Sequence, residues 1–319
     1  MRVLVTGAFG NIGSHSVDAL LAQGAQVRAL EYQAGDAELR KKWKGKVEVV
    51  QGDVTLPGTL VAAVRGVDVV VHLAYVIPPA CLEKPEQARR VNVDGTANLI
   101  AAMKAEAPQA KLLFASSLDV FGHTAHLPPP RTLADPVNAT DAYTEHKLAC
   151  EKLVQESGLT WAIFRYSDVP LIALRSPVAI MFEIPLTQRI ESMHPLDAGL
   201  VTAKAALSDR TWGRIWLVGG GARCQNTYGE YLAKFLGAME MGGPLPESAF
   251  TTKPWATDWL DTAESERVFQ YQRHSFDDIV KDVAALLGWK RKFARLSQPV
   301  VREFMLGLSP YYRKRKEGT

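Results

Sequence analysis

Short apolar runs alternating with helical patterns, a glycine-rich turn directly after the first run, and a second half broken by prolines predict an α/β fold. The expected architecture is a doubly wound, Rossmann-type parallel sheet followed by a smaller, mostly helical C-terminal region. Residues 2–6 are a β-branched apolar run and 7–13 a turn; Val17, Leu20 and Leu21 mark one face of a helix that Gly24 closes. Val27–Leu30 ends in Glu31, so residues 2–31 read as strand, turn, helix, strand, which is one βαβ unit. Val47–Val50, a helix over 57–65 and the fully apolar Val67–Leu73 continue the alternation. Such runs suit strands covered by helices on both faces. A helix over 85–107, a strand at Lys111–Ala115, a proline-rich loop at 127–136, a helix over 141–157 stopped by Gly158 and a strand at Thr160–Arg165 follow. Beyond residue 168, Pro170, Pro177, Pro185 and Pro195 break the chain into short pieces, and Arg214–Val218 before Gly219-Gly220-Gly221 reads as a return to the sheet.

A length of 319 residues, 47% hydrophobic and 22% charged, fits a globular protein of one large domain or two interleaved ones. Cys81, Cys150 and Cys224 are widely spaced, too few for a disulfide framework and without metal-ligand spacing, so a reducing cytoplasm is expected. Met1 leads straight into Arg2-Val3-Leu4-Val5 and no apolar run approaches the roughly 20 residues of a membrane span, which speaks against secretion and spanning. Residues 288–319 carry nine Lys/Arg against Glu303 and Glu317, a local +7 within a chain of net +3. A solvated helix and terminus explain that charge. Contact with a membrane surface is the alternative, because Phe293, Val300, Val301, Phe304, Met305 and Leu308 recur at helical spacing, though Pro299 interrupts them. Nucleic acid is not an expected partner.

In Thr6-Gly7-Ala8-Phe9-Gly10-Asn11-Ile12-Gly13 the glycines fall three apart, after a strand and at a helix start. Gly7 permits the turn, Gly10 lets backbone N–H groups approach a pyrophosphate, and Gly13 lets the helix pack on the strand. The helix N-terminus favours the anion. Glu31 lies 18 positions after Gly13, where its carboxylate can accept the adenosine ribose hydroxyls and repel a 2′-phosphate. NAD is therefore expected; NADP stays open because Arg28, Arg40 and Lys41 are near in sequence. Asp53 and Val54 close the third strand beside the adenine. Residues 1–168 with 196–222 are expected to bind the dinucleotide, and 169–195 with 223–319 to form the substrate-binding and C-terminal region.

Tyr143 and Lys147 stand four apart in a helical segment, on one face. A free tyrosine, with a pKa near 10, is a poor base at neutral pH, and a neighbouring ammonium is expected to lower it. TGAFGNIG at 6–13, GDV at 52–54, HLA at 72–74, VNVDGTANLI at 91–100, FASSLDVFG at 114–122, YTEHK at 143–147 and RYSDV at 165–169 run in an order that resembles the extended short-chain dehydrogenase/reductase family, the NAD-dependent epimerase/dehydratase group. The resemblance implies that Ser117 orients the substrate oxygen, Tyr143 is the acid/base, Lys147 holds the nicotinamide ribose, and Asn92 supports a proton relay. It also implies dinucleotide contacts from Gly7, Phe9, Gly10, Asn11, Ile12, Gly13, Leu73, Ala74, Tyr75 and Tyr166, and a homodimer.

The sequence departs from that group in two places. Nucleotide-sugar epimerases follow the sixth strand with an asparagine and a glycine-proline turn that hold a diphosphate. Here Asp168-Val169-Pro170 stands there, and a carboxylate repels a diphosphate. Dehydratases carry Thr-Asp-Glu where this chain has Ser117-Leu118-Asp119, so water elimination is not expected. Tyr75-Val76-Ile77-Pro78-Pro79, Ile180-Met181-Phe182 and Ile184-Pro185-Leu186 suggest apolar walls, with Val76 and Asp168 as substrate contacts. The expected activity is oxidoreduction of a carbonyl or secondary alcohol on a fairly apolar small molecule. A nucleotide-sugar epimerase acting through a transient ketone is the alternative, and a non-catalytic dinucleotide-sensing protein the alternative of another class.

Overall fold

A computed structural model describes residues 1–312 apart from 34 and 175, and the side chains of 290–296 lie outside the description. Its elements are β1 (Arg2–Thr6), α1 (Asn11–Ala22), β2 (Gln26–Glu31), α2 (Ala37–Trp43), β3 (Val47–Gln51), α3 (Pro57–Val64), β4 (Val69–His72), α4 (Ala80–Glu83), α5 (Pro85–Arg89), α6 (Gly95–Glu106), β5 (Lys111–Ser117), α7 (Ala142–Gln155), β6 (Trp161–Tyr166), β7 (Arg189–Glu191), α8 (Pro195–Ala206), β8 (Arg214–Val218), β9 (Gln225–Thr227), α9 (Tyr228–Ala238), α10 (Ala263–Phe269), α11 (Phe276–Ala285) and α12 (Arg291–Gly307).

The seven-stranded sheet runs β3-β2-β1-β4-β5-β6-β8 with every neighbouring pair parallel. The strand order reverses beside β1, so the ends of β1 and β4 flank a crevice where ligands bind in such sheets. One apolar layer joins Val3, Val5, Val17 and Leu20 to α8; the other joins Leu4, Val70, Leu112 and Phe114 to α3, α6 and α7. A third, separate core gathers Phe182, Tyr228, Phe250, Met305 and Leu306 under α12.

Four sequence expectations are modified. Strand β3 is an edge strand rather than one covered on both faces; Val49 is 39% exposed and Glu48 pairs with Arg28 at 3.0 Å. The helix expected over 85–107 is interrupted by a π-helical stretch, Arg90–Asp94, between α5 and α6. Helix α12 runs through Pro299. Finally, β7 and β9 form a separate antiparallel pair that carries no periodic signal, being three residues each.

Candidate active site

The glycine turn after β1 is shaped by close approach. Gly7 has φ +69°, and a Cβ there would lie 2.8 Å from the Ala74 nitrogen; a Cβ on Gly13 would lie 2.0 Å from the Gly7 carbonyl oxygen. Helix α1 has no side-chain cap, so its first N–H groups stay directed at the turn. Thr6 locks the opposite wall. Its Oγ1 accepts from the N–H groups of Leu73 (3.2 Å) and Ala74 (3.1 Å), and its hydroxyl donates to His72 Nδ1 at 2.7 Å. Burial pulls the His72 pKa down to about 3, so the ring is neutral and Nε2 donates to Thr96 Oγ1 at 3.0 Å.

These walls enclose a groove of about 590 Å³ lined by Gly7, Phe9, Gly10, Glu31, Asp53, Val54, Ala74, Tyr75 and Val76. Its narrow glycine floor, donor-rich helix end and acidic far end fit an extended dinucleotide. Glu31 does not wait there with free oxygens, as its expected ribose role implies. It is 3% exposed, accepts from the Gly35 N–H, and is held by the Arg40 guanidinium through both oxygens. Asp53 Oδ1 accepts from the Thr55 N–H at 2.8 Å.

Several other predicted contacts are redirected. Asn11 Nδ2 donates to the Val169 carbonyl at 2.9 Å, tying the turn to the loop after β6. Ile12 and Leu73 pack on the core below. Tyr166 is not a groove residue: it is 4% exposed and its hydroxyl pairs with Thr202 of α8 at 2.7 Å. Alternation along β6 sends it to the α8 layer and Arg165 to the α7 side.

The structure brings Ser117, Tyr143 and Lys147 together at the end of β5 and the start of α7. Asp141 caps α7 by accepting from the Thr144 N–H at 2.8 Å. One turn past Lys147, Glu151 accepts from Ser116 Oγ (2.5 Å) and from Arg165 Nε (3.0 Å) and Nη2 (2.8 Å), pinning α7 to β5 and β6. The Ser117 hydroxyl lies near enough to the Tyr143 phenol to favour its ionised form. Lys147 Nζ donates to the Ala115 carbonyl at 2.6 Å and sits 3.4 Å over the Tyr75 ring, whose edge meets Tyr143.

The electrostatics correct one expectation. Burial, with Asp119 beside it, pushes the Tyr143 phenol upward, and the polar influence of Ser117 only partly opposes this. Lys147 lies 5.7 Å from the Tyr143 ring with Tyr75 nearer, and burial draws its own pKa down to about 8. The sequence reading missed Asp119 as a site residue. Burial and then the nearby Asp168 push its carboxyl up to about 7. Its signal was available: a carboxylate two residues beyond a strand-end serine. Asp168 itself accepts from Ser192 Oγ at 3.3 Å.

Asn92 lies in the π-helical stretch, and its side chain clamps Val76: Oδ1 accepts from the Val76 N–H at 2.7 Å and Nδ2 donates to the Val76 carbonyl at 3.0 Å. Its own carbonyl accepts from Thr96 and Cys150. In this structure Asn92 therefore holds the groove wall, with its hydrogen-bonding groups occupied. The supposed apolar walls are mostly core. Phe182 is fully buried, and Met181, Ile184 and Leu186 pack against its cluster, whereas Ile77 is 59% exposed.

The model of the NAD dependent epimerase/dehydratase family matches residues 3–169. A UDP-glucose 4-epimerase of Lactobacillus helveticus is 32% identical over 53% of this chain and 52% of its own; a 3-beta-hydroxysteroid dehydrogenase of Mycolicibacterium neoaurum is 32% identical over 48% and 42%. The chain thus matches about half the length of these curated relatives. The solved UDP-glucose-4-epimerase of Stenotrophomonas maltophila, with bound NAD and formylated UDP-arabinopyranose, superposes with a TM-score of 0.74 at 22% identity, covering 93% of this chain and 99% of that one. The dTDP-glucose 4,6-dehydratase of Bacillus anthracis, in complex with NAD, gives 0.74 at 17% identity, covering 92% and 99%. At these identities the superpositions establish the fold. With the family match spanning more than half its length, the chain belongs to the NAD dependent epimerase/dehydratase family.

Proposed function

We propose that this protein is an NAD-dependent oxidoreductase that interconverts a carbonyl and a secondary alcohol on a small molecule. The observation that carries the reading is the gathering of Ser117, Tyr143 and Lys147 beside the groove wall at Tyr75, with the Lys147 ammonium 3.4 Å over the Tyr75 ring and 5.7 Å from the Tyr143 ring. NAD, when bound, supplies or accepts the hydride. Residues 1–168 with 196–222 form its half of the protein in this reading, held by the glycine turn, Ala74 and the Glu31 end of the groove.

In the reductive direction Tyr143, kept protonated by burial and by Asp119, gives its proton to the carbonyl oxygen as hydride reaches the carbonyl carbon. Ser117 orients that oxygen through its hydroxyl. The Lys147 ammonium, charged below about pH 8, offsets the phenolate left on Tyr143, which water reprotonates. Asp119, protonated below about pH 7, offers a further hydrogen-bond donor at the reacting end. The substrate is accordingly polar where it reacts.

Nucleotide-sugar epimerisation through a transient ketone is the second reading, favoured by the epimerase superposition along almost the whole chain. Asp168 weighs against it, because a carboxylate beside the site repels a diphosphate. Absorbance of NADH, followed with a panel of hydrophobic ketones and alcohols and with UDP-sugars, separates the two. Net consumption or production of NADH with a ketone or alcohol is expected. Interconversion of UDP-sugars without net NADH change would replace the first reading by the second.

A further inference from the structure

Helix α12 is apolar on more than the face it buries. Val301, Met305, Leu306 and Leu308 turn inward onto the Phe182–Tyr228–Phe250 core, and Arg302 fixes the helix to the body by donating to the carbonyls of Met241 (3.0 Å), Gly243 (2.6 Å) and Pro244 (2.8 Å). Yet Val300 and Phe304, one turn apart, are 74% and 57% exposed, and the chain entering the helix exposes Trp289 at 71% and Leu286 at 49%. Four large apolar side chains within 19 residues, two on α12 and two on the chain before it, are thus exposed on a segment already anchored elsewhere.

We propose that this outward surface, Leu286, Trp289, Val300 and Phe304, docks the protein on an anionic lipid bilayer. Charge selects the occupant. Residues 288–319 carry +7 while the rest of the chain carries −4, so three of the four apolar residues fall within the basic stretch of the sequence and Leu286 just before it. A helix lying in the headgroup region uses this pairing of aromatic and aliphatic residues with Lys and Arg. A second copy would bring +7 against +7, and the aliphatic Leu286 and Val300 match a hydrocarbon phase rather than a phosphate backbone. Among the described residues no helix is long and apolar enough to cross a membrane, so the contact is one of surface attachment. The inference stands apart from the catalytic reading, since none of these four residues lines the groove.

The test is co-sedimentation of the full chain with vesicles of phosphatidylcholine alone and of phosphatidylcholine with phosphatidylglycerol. Binding to the anionic vesicles at least about tenfold tighter than to the neutral ones, weakening as salt is raised, is expected. The double variant Val300→Asp/Phe304→Asp should lose that binding by about tenfold or more while keeping its melting temperature. If the double variant fails to fold, Trp289→Ala serves, with a several-fold loss expected. Absence of binding to either vesicle, equal binding to both, or unchanged binding by the folded variants overturns the proposal. So does sedimentation showing self-association through this surface without lipid binding.

Discussion

The groove between residues 7 and 76 is shaped by close backbone approach, whereas beyond residue 168 buried carboxylates tie together segments far apart in the chain. The Gly7 and Gly13 approaches and the Leu73 and Ala74 N–H groups shape the first region. In the second, Asp258, 1% exposed, accepts from Arg189 Nε at 2.6 Å and Nη2 at 2.9 Å and from Thr124 at 2.7 Å, with Arg131 at 3.2 Å. Glu191, fully buried, accepts from the N–H groups of Gly221 (3.0 Å) and Leu260 (2.8 Å) and from Gln225. A backbone cradle tolerates little added volume. A buried ionic hub tolerates loss of neither sign, because the partner is left charged and dry.

The sharpest break of that contrast is Asp258→Ala, which leaves Arg189 without its carboxylate and Arg131 with Asp135 alone, and should cost about 3–5 kcal/mol. Thermal unfolding with hydrogen exchange is expected to show lost protection around 124–131 and 189–191 and retained protection in β1 and β4. Uniform loss would mean the two regions are not separately built. Next in size is Gly13→Ala, whose methyl meets the Gly7 carbonyl oxygen at 2.0 Å. A cost of about 1–3 kcal/mol, read as a roughly tenfold to hundredfold loss of NAD affinity by fluorescence titration, is expected.

Asp119→Asn probes the border between the regions. With the folded pKa raised to about 7, protonated Asp119 favours folding below the unfolded value near 4, and that contribution is lost as pH rises through 7. The variant should melt about 2–4 °C higher than the parent at pH 8, as about 1 kcal/mol would produce, and level with it at pH 4. An equal shift at both values would detach the effect from ionisation. The smallest effect belongs to Arg40→Ala. The Arg40 side chain is 45% exposed and its pairing with Glu31 is worth about 0–1 kcal/mol, so the NAD to NADP preference should rise by no more than about fivefold in paired titrations. A preference for NADP in the parent protein would instead make Arg40 the phosphate partner.

The same contrast explains what was legible from residues alone. The alternation of strands and helices, the glycine turn and the four-residue spacing of Tyr143 and Lys147 are local, so the order β1-α1-β2 and the shared helix face of Tyr143 and Lys147 follow from nearby sequence, while Ser117 was joined to them by the family resemblance. Tyr166 was assigned to the groove through the family resemblance, and strand alternation could not correct this, because it tells two faces apart without saying which one α8 covers. The apolar run at 180–186 looked like a substrate wall because its partners, Met305 and Leu308, lie more than a hundred residues on. Tyr143 was expected to be acidified by Lys147, but sequence spacing carries no record of burial, of Tyr75 lying nearer the ammonium, or of Asp119 beside the phenol.

The central claim is that Tyr143 handles the proton on a frame that binds NAD independently of it. Tyr143→Phe, assayed on a substrate that changes NADH absorbance, is expected to lower turnover by a factor of about 100 or more while leaving NAD affinity within about threefold of the parent. A variant that kept most of its turnover would contradict the account.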